Sequence, residues 1–355
     1  MTRFTCHIYC ALSVWVSLIT TCGCIERSNQ PPVRETVIPR DTETGFEAHA
    51  ANQPVCDLSG ATFANRCSSP PRRVIAIGDL HGNLASTLQI LKVTGLIDDE
   101  NQWIGADAVL VQVGDQIDRG DFDREIVDFM DRLETDASRY GGAVHSMLGN
   151  HDIKSVDFDF RWVSTRSFES FGDIPFDPFD PQLSALESLA QGRAAAFRPT
   201  GPYAAILAKR TVMLNVMGTV FSHAGIMPRF AAMGIRRIND EIRAWLLGRG
   251  QRPDDLIDSG DSPIQSRNFG APDPTLVDCD AVRESLAILG AERMVIGHTI
   301  QQQGVNWACD GLVWRIDVGI YEGTRIGALE IYGDQVTPVT FEWDSPEKYA
   351  QMPTN

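Results

Sequence analysis

The sequence predicts an α/β sandwich, and two observations carry that prediction. Short apolar runs, mostly closed by Gly or Ser, recur through the middle of the chain, with segments of helical periodicity between them. Among 355 residues, 43% are hydrophobic and 22% charged. That composition can bury one large core or two small ones, and nothing in it points to wholesale disorder.

The chain opens on a targeting segment. Arg3 is the only formal charge before Glu26, and IYCALSVWVSLITT over 8–21 is continuously apolar or small. Residues 1–24 therefore read as a secretory signal of lipoprotein type, in which Cys24 after Gly23 would be lipidated and become the new N-terminus. Ordinary signal cleavage and an uncleaved anchor stay open, because a stretch of about 20 apolar residues can also span a bilayer. The reading implies export to a periplasmic or cell-envelope location, with membrane contact only through that lipid or anchor. Residues 25–70 are polar, carry scattered Pro and show no apolar periodicity, which suits a flexible tether.

From Arg73 the pattern changes. VIAIG (74–78), AVLVQVG (108–114), AVHSML (143–148), TVMLNVMGTVFS (211–222), RMVIG (293–297) and LVWRIDVG (312–319) read as strands buried on one or both faces. Leu84, Leu88 and Leu91 recur at helical spacing after the first run, and Ile126, Phe129, Met130 and Leu133 do so after the second. Residues 155–205, with the helical SALESLAQGRAAAF, interrupt the rhythm as an inserted cap. INDEIRAWLLGRG marks a second helical insertion over 229–262. ALEIYGDQVTPVTFEW reads as a hairpin turning at Gly333-Asp334.

The chemistry gathers where strands end. Five runs finish in loops loaded with Asp, Asn or His: GDLHGN (78–83), GDQIDRG (114–120), GNHD (149–152), SHAG (222–225) and GHT (297–299). One such loop is an ordinary turn. Five of them, each opening on Gly or Ser, point to a site where strand ends converge. Carboxylate, amide and imidazole ligands together suit Mn, Fe or Zn rather than Ca, and the absence of thiolates argues against a structural zinc. Asp79 and His81 can grip one ion, and the Asp115 carboxylate can bridge two ions about 3.5–4 Å apart. Asn150, His223 and His298 can complete the second shell. Two ions so close would acidify a shared water into a bridging hydroxide, so no Ser or Cys nucleophile is needed. His151 follows a ligand and can protonate the leaving oxygen, with Asp118 to orient it. Arg119 offers a planar fork for phosphate oxygens.

These motifs resemble the calcineurin-like metallophosphoesterase superfamily, whose signature runs GDxHG, GDxxDRG, GNH[ED] and two separate His loops. The Asp-Arg pair in GDQIDRG is similar to the phosphoprotein phosphatase branch. The secretory start, SPIQSRN (262–268) and VIGHT (295–299) resemble the bacterial Shewanella-like protein phosphatases. The resemblance covers about 73–330 and implies a four-layer α/β/β/α sandwich of two mixed sheets with helical insertions, over a catalytic domain at 71–345. It implies that Asp79, His81 and Asp115 hold one metal and that Asp115, Asn150, His223 and His298 hold the other, with manganese expected and iron or zinc open. Arg267 matches the family's second phosphate-binding Arg, although Gln265 stands where the family has Trp. Asp152 replaces the commoner Glu after the His.

The implied reaction is hydrolysis of a phosphate monoester on protein Ser, Thr or Tyr, or on a small molecule. A dinucleoside polyphosphate hydrolase on the same metals is the alternative, and an inactive surface-binding lipoprotein a remote one. The formal net charge of −16 argues against a nucleic-acid coat, since phosphate backbones are bound by clustered Lys and Arg. His145 falls inside an apolar run and reads as structural, while His7 and His49 lie in the leader and the tether. The body carries Cys56, Cys67, Cys279 and Cys309, an even number suited to an oxidising compartment. Cys56–Cys67 with Cys279–Cys309 is the preferred of three pairings, and four free thiols remain the plain alternative.

Overall fold

The computed structural model describes residues 72–342. The expected leader at 1–24 and tether at 25–70, with Cys56 and Cys67, lie outside the described residues. In chain order the first elements are β1 (Arg73–Ile77), α1 (Leu84–Val93), β2 (Val109–Gln112), α2 (Asp123–Arg139), β3 (Ala143–Ser146) and α3 (Asn150–Val156). The cap contributes α4 (Thr165–Glu169), α5 (Pro181–Ser184), α6 (Ser188–Phe197) and α7 (Pro202–Leu207). Then follow β4 (Met213–Val216), β5 (Thr219–Ser222), α8 (Pro228–Met233), α9 (Ile235–Leu246), α10 (Asp254–Ile257) and α11 (Cys279–Leu289). The last strands are β6 (Arg293–Ile296), β7 (Asn306–Ala308), β8 (Val313–Arg315), β9 (Arg325–Tyr332) and β10 (Gln335–Glu342).

These strands form two five-stranded mixed sheets, ordered β10-β9-β1-β2-β3 and β4-β5-β6-β8-β7. Alternation along the second sheet shows how the layers stack. Phe221, Val295 and Trp314 join the core that holds the first sheet with Leu88, Leu91, Ile126, Phe129 and Leu133 of α1 and α2. Their neighbours Val220, Met294, Ile296 and Val313 point the other way, into a core with Phe230, Ile238, Ile242 and Leu286 of α8, α9 and α11. The period of two thus places one face of the second sheet on the first sheet and the other on helices, giving helix, sheet, sheet, helix in layers. Burial of a fully enclosed side chain such as Phe221 stabilises by about 1.5–3 kcal/mol.

The structure departs from the sequence reading at 211–222, which is a hairpin rather than one strand. Met217 (φ 50°) and Gly218 (φ 80°) form its two-residue turn, and β4 pairs antiparallel with β5. Both central residues lie in the left-handed region, the signature of the tight hairpin turn that matches strand twist. Reading 211–222 as one run passed over the Asn215 and Gly218 signals within it. Only Val313–Arg315 of the 312–319 run is strand, and β7, against β8 in antiparallel register, had no strong pattern of its own. Cys279, at the start of α11, is disulfide-bonded to Cys309 across 30 residues. A loop of that length contributes about 3–4 kcal/mol by restricting the unfolded chain. Among the described residues no helix is long and apolar enough to cross a membrane.

Candidate active site

Direction of the strands decides where the site lies. β1, β2 and β3 run parallel, as do β5, β6 and β8, so the C-terminal ends within each set share one edge of their sheet. The loops that leave those ends converge there, as ligand-binding loops do in α/β sheets. The first two loops are tied together by main chain: Leu80 and His81 N–H groups donate to Asp115 O at 3.0 Å each, and Gly82 N–H to Gln116 O at 3.0 Å. Asp152 ties the second to the third, because its Oδ2 accepts from Gly149 N at 2.8 Å and from Asp115 N at 3.0 Å. Gly149 is required by close approach, since a Cβ there would collide with the backbone and carboxylate of Asp115.

Strain marks the same residues. His81 (φ 45°), Asp115 (53°), Asp118 (70°), Arg119 (70°) and His298 (66°) all occupy the left-handed region. Such backbone costs of order 1–3 kcal/mol per residue and persists only where the surroundings over-determine it.

All six sequence-predicted ligands come together. Asp115 Oδ2 lies 3.6 Å from His81 Nε2 and 3.3 Å from His223 Nε2. His223 Nε2 is 3.1 Å from Asn150 Oδ1 and 3.0 Å from His298 Nδ1. Asp79 Oδ2 is 3.8 Å from His81 Nε2, and Oδ1 is 3.9 Å from His223 Nδ1 while accepting from His298 N at 3.1 Å. Asp115 is the member shared by two groups of converging ligand atoms, one with His81 and His151 and one with His223 and His298. A carboxylate so placed could be shared by two ions.

Two features show that a cation fits. First, His81 and His223 each turn Nδ1 onto a main-chain carbonyl, Ile117 O at 3.0 Å and Val113 O at 2.9 Å. Each therefore presents Nε2 inward, as metal-binding imidazoles do when an outer hydrogen bond fixes the tautomer. Second, acceptors face acceptors. With His223 neutral, the Asn150 oxygen faces acceptors on Asp115, His223 and His298, where a reversed amide would place its nitrogen 3.1 Å from each and turn its oxygen to Lys154. An oxygen held among those groups is what a cation satisfies.

The electrostatics of the metal-free cluster agree. Burial works against charge on His223, but Asp115 and Asp79 outweigh it and push its pKa up to about 9. Burial drives His81 down to about 3 and His298 to about 2. Burial also raises Asp79 well above its ordinary value, with Asp317 reinforcing the effect. Asp115 goes the other way. Burial alone would raise it, yet His223, His151 and His81 together hold it well below the usual carboxylate range. Metal uptake must therefore displace the proton on His223. Affinity for manganese is expected to weaken as pH falls below about 9, by up to about tenfold per unit. Calorimetry in buffers of different ionisation enthalpy reads both the affinity and the released proton, and a pH-independent affinity with no release would contradict this.

Beside the cluster stand the predicted chemical and binding groups. His151 Nδ1 is 2.8 Å from Asp118 Oδ2, and its ring meets that of His81 edge-on at 4.8 Å. Arg119 is exposed, with Nη2 3.5 Å from His151 Nε2 and its guanidinium over the Tyr321 ring at 4.9 Å. Arg267 is exposed at the other end, where it donates to Thr299 Oγ1 at 3.2 Å beside His298. A shallow groove next to His151 is lined by Arg119, Arg161, Trp162, Val163, Ser164 and Tyr321. His145 stays within β3, where burial, with Arg72 nearby, lowers its pKa to about 4; it joins neither ligand group.

Sequence reasoning missed a sixth loop. It follows β8 and carries Asp317, buried and pushed up to about 6 chiefly by that burial, and Tyr321, whose ring lies 5.3 Å from that of His81. The strand-end pattern in IDVG was the available signal. It also missed Trp162 and Arg193 of the cap, for which no local pattern exists.

The model of the calcineurin-like phosphoesterase family matches residues 72–302. A protein of Arabidopsis thaliana, Shewanella-like protein phosphatase 2, is 35% identical over 292 residues, which cover 74% of each chain. Shewanella-like protein phosphatase 1 of Plasmodium berghei is 28% identical over 265 residues, 72% of this chain and 69% of that one. Among solved structures, the cold-active protein-tyrosine phosphatase of a psychrophile Shewanella sp. superposes with a TM-score of 0.63 at 20% identity, covering 77% of this chain and 81% of that chain. At that identity the likeness speaks for the fold.

Proposed function

The chain belongs to the calcineurin-like phosphoesterase family, and from that premise we propose that it is a metal-dependent phosphoprotein phosphatase acting on phosphate monoesters of Ser, Thr or Tyr. The observation that carries this reading is the His151–Asp118 pair, bonded at 2.8 Å and set against the cluster where the six candidate ligands meet. Asp79, His81, Asp115, Asn150, His223 and His298 would hold two divalent ions, manganese being the expected metal. Such a pair supplies a water acidic enough to attack at neutral pH and neutralises charge on phosphate oxygens.

The chain's own groups do the rest. Arg119 and Arg267, at opposite ends of the cluster, grip the phosphate oxygens and fix the ester's orientation. Asp118 accepts from Nδ1 of His151 and so keeps the proton-bearing Nε2 directed outward, where it protonates the leaving oxygen as the P–O bond breaks. The open groove beside Arg119, with the Trp162 and Tyr321 rings, suits a side chain presented on a protein surface better than an enclosed nucleotide.

A panel of phosphoserine, phosphothreonine and phosphotyrosine peptides, run with manganese beside diadenosine tetraphosphate, tests the proposal. Turnover is expected on at least one peptide and well above that on the nucleotide. The reverse order would overturn it.

The apolar 8–21 stretch and Cys24, together with the Cys279–Cys309 disulfide, support export to the cell envelope with lipid anchoring at Cys24. Fractionation of cells making the wild type and Cys24→Ser checks this. The wild type is expected with membranes and the variant to lose that attachment; identical partitioning would refute the anchor.

A further inference from the structure

We propose that Arg193, on helix α6 of the cap, is a positioning residue for the proton-donating pair His151–Asp118. This inference rests on the general-acid reading of His151 and extends it to a side chain 75 residues away from Asp118 in the chain. Arg193 is fully buried, and so are Asp118 and Asp123. Its Nη2 donates to Asp118 Oδ1 at 2.9 Å and to Ser155 Oγ at 2.9 Å. Its Nη1 donates to Asp123 Oδ2 at 2.8 Å and to Ser167 Oγ at 2.7 Å. The guanidinium lies by the Phe171 ring, 5.3 Å from its centre, and by that of Phe197, 5.0 Å away.

That arrangement divides the Asp118 carboxylate between two partners. Oδ2 faces His151 Nδ1 and Oδ1 faces Arg193. A carboxylate with one oxygen free can swing about its Cβ–Cγ bond, and the imidazole follows it. With both oxygens engaged it cannot, so the ring is held at one angle. Asp123 supports the same residue from below, because both its oxygens lie 3.0 Å from Asp118 N and hold the left-handed turn at Asp118 (φ 70°).

A buried Arg between two carboxylates also has a plain structural reading, as the charge that lets two acids share a dry site. Two details favour more than that. The fork reaches the carboxylate that orients His151, rather than an acid remote from the chemistry. Its planar fork, which sends one Nη to each of two carboxylates, is also something a lysine of equal charge cannot reproduce. The cap would then do two jobs, supplying Trp162 and Arg161 to the groove and locking the angle of the acid that works beside it.

The test separates orientation from folding by leaving-group chemistry. A general acid matters for a poorly stabilised leaving oxygen, as in phenyl phosphate, and hardly for 2,4-dinitrophenyl phosphate, whose leaving group departs without a proton. In Arg193→Lys, kcat on phenyl phosphate is expected to fall at least about tenfold, and kcat on the dinitrophenyl ester by less than about threefold, with KM steady on both. Ser155→Ala, which keeps every charge and removes one anchor of Nη2, is expected to show the same selectivity to a smaller degree. His151→Ala sets the reference. If it shows no leaving-group selectivity, the general-acid reading fails; if it does while both other variants do not, the inference about Arg193 fails.

A second readout needs no metal and no turnover. In the metal-free protein the His151 Nδ1–H proton should give a downfield NMR resonance, absent in Asp118→Asn and shifted or broadened in Arg193→Lys. An unmoved resonance in Arg193→Lys would overturn the proposal, as would equal losses on both esters. Should Arg193→Lys not fold, Ser155→Ala decides by the same two measurements.

Discussion

Replacing His151 by alanine is expected to lower kcat on a phosphopeptide by about 10²–10⁴-fold, the range a positioned general acid contributes, while both metal ions stay bound. The expectation follows from what each atom of His151 touches. Its main-chain N–H donates to Asp115 Oδ1 at 2.7 Å, and alanine keeps that bond, so the bridging carboxylate stays supported. Its ring gives Nδ1 to Asp118 at 2.8 Å and leaves Nε2 beside Arg119. Alanine loses this second set, together with the ring's edge-on contact with His81 at 4.8 Å. KM should change little, because Arg119 and Arg267 remain to hold phosphate. Metal content measured beside turnover makes the prediction specific: unchanged kcat would remove His151 from the chemistry. Lost activity together with lost metal would instead make it a ligand, in line with its place beside His81 and Asp115.

Changing Asp115 to asparagine is expected to have the other large effect, through the metals themselves. Asp115 belongs to both groups of converging ligand atoms, so one substitution weakens two sites. An outer-shell partner of a ligand is worth about 10–100-fold in affinity or activity, and a shared first ligand should exceed that. The charge matters as well as the atom. Once burial has opposed its proton, His223 owes its high pKa, about 9, first to Asp115 and then to Asp79. Without the carboxylate, that proton loses its main partner and the cluster loses the negative charge that draws cations in.

Two measurements check this. Elemental analysis should show fewer than two metals per chain in the variant. Manganese should raise the melting temperature of the wild type by mass action and leave that of Asp115→Asn nearly unmoved. Full metal occupancy in the variant would contradict the bridging assignment.

The fold was legible where apolar runs were bounded by glycine, and least legible where they were not. The runs at 74–78 and 108–114 announced β1 and β2 because buried parallel strands need nothing but apolar residues on both faces. The run at 211–222 concealed a hairpin: Met217 and Gly218 make the turn inside it, with Asn215 Oδ1 accepting from Gly218 N at 3.2 Å as the one polar mark of it. The disulfide remained one of three pairings until distance chose Cys279 with Cys309, since spacing along the chain does not report proximity across it.

The candidate site divides along the same line. The sequence by itself determined which side chains could bind metal and move a proton, from Asp79 to His298, because each stands in a short loop at a strand end and strand ends are places a linear pattern can mark. Tertiary structure alone decided that those loops converge, that Asp115 stands where two groups of ligand atoms meet, and that Arg193, Asp317, Trp162 and Tyr321 surround them. The physical reason is that strand direction and sheet order bring distant loops together, whereas a buried arginine inside an alanine-rich helix has no local signature. Its meaning lies wholly in the two carboxylates it reaches across the fold.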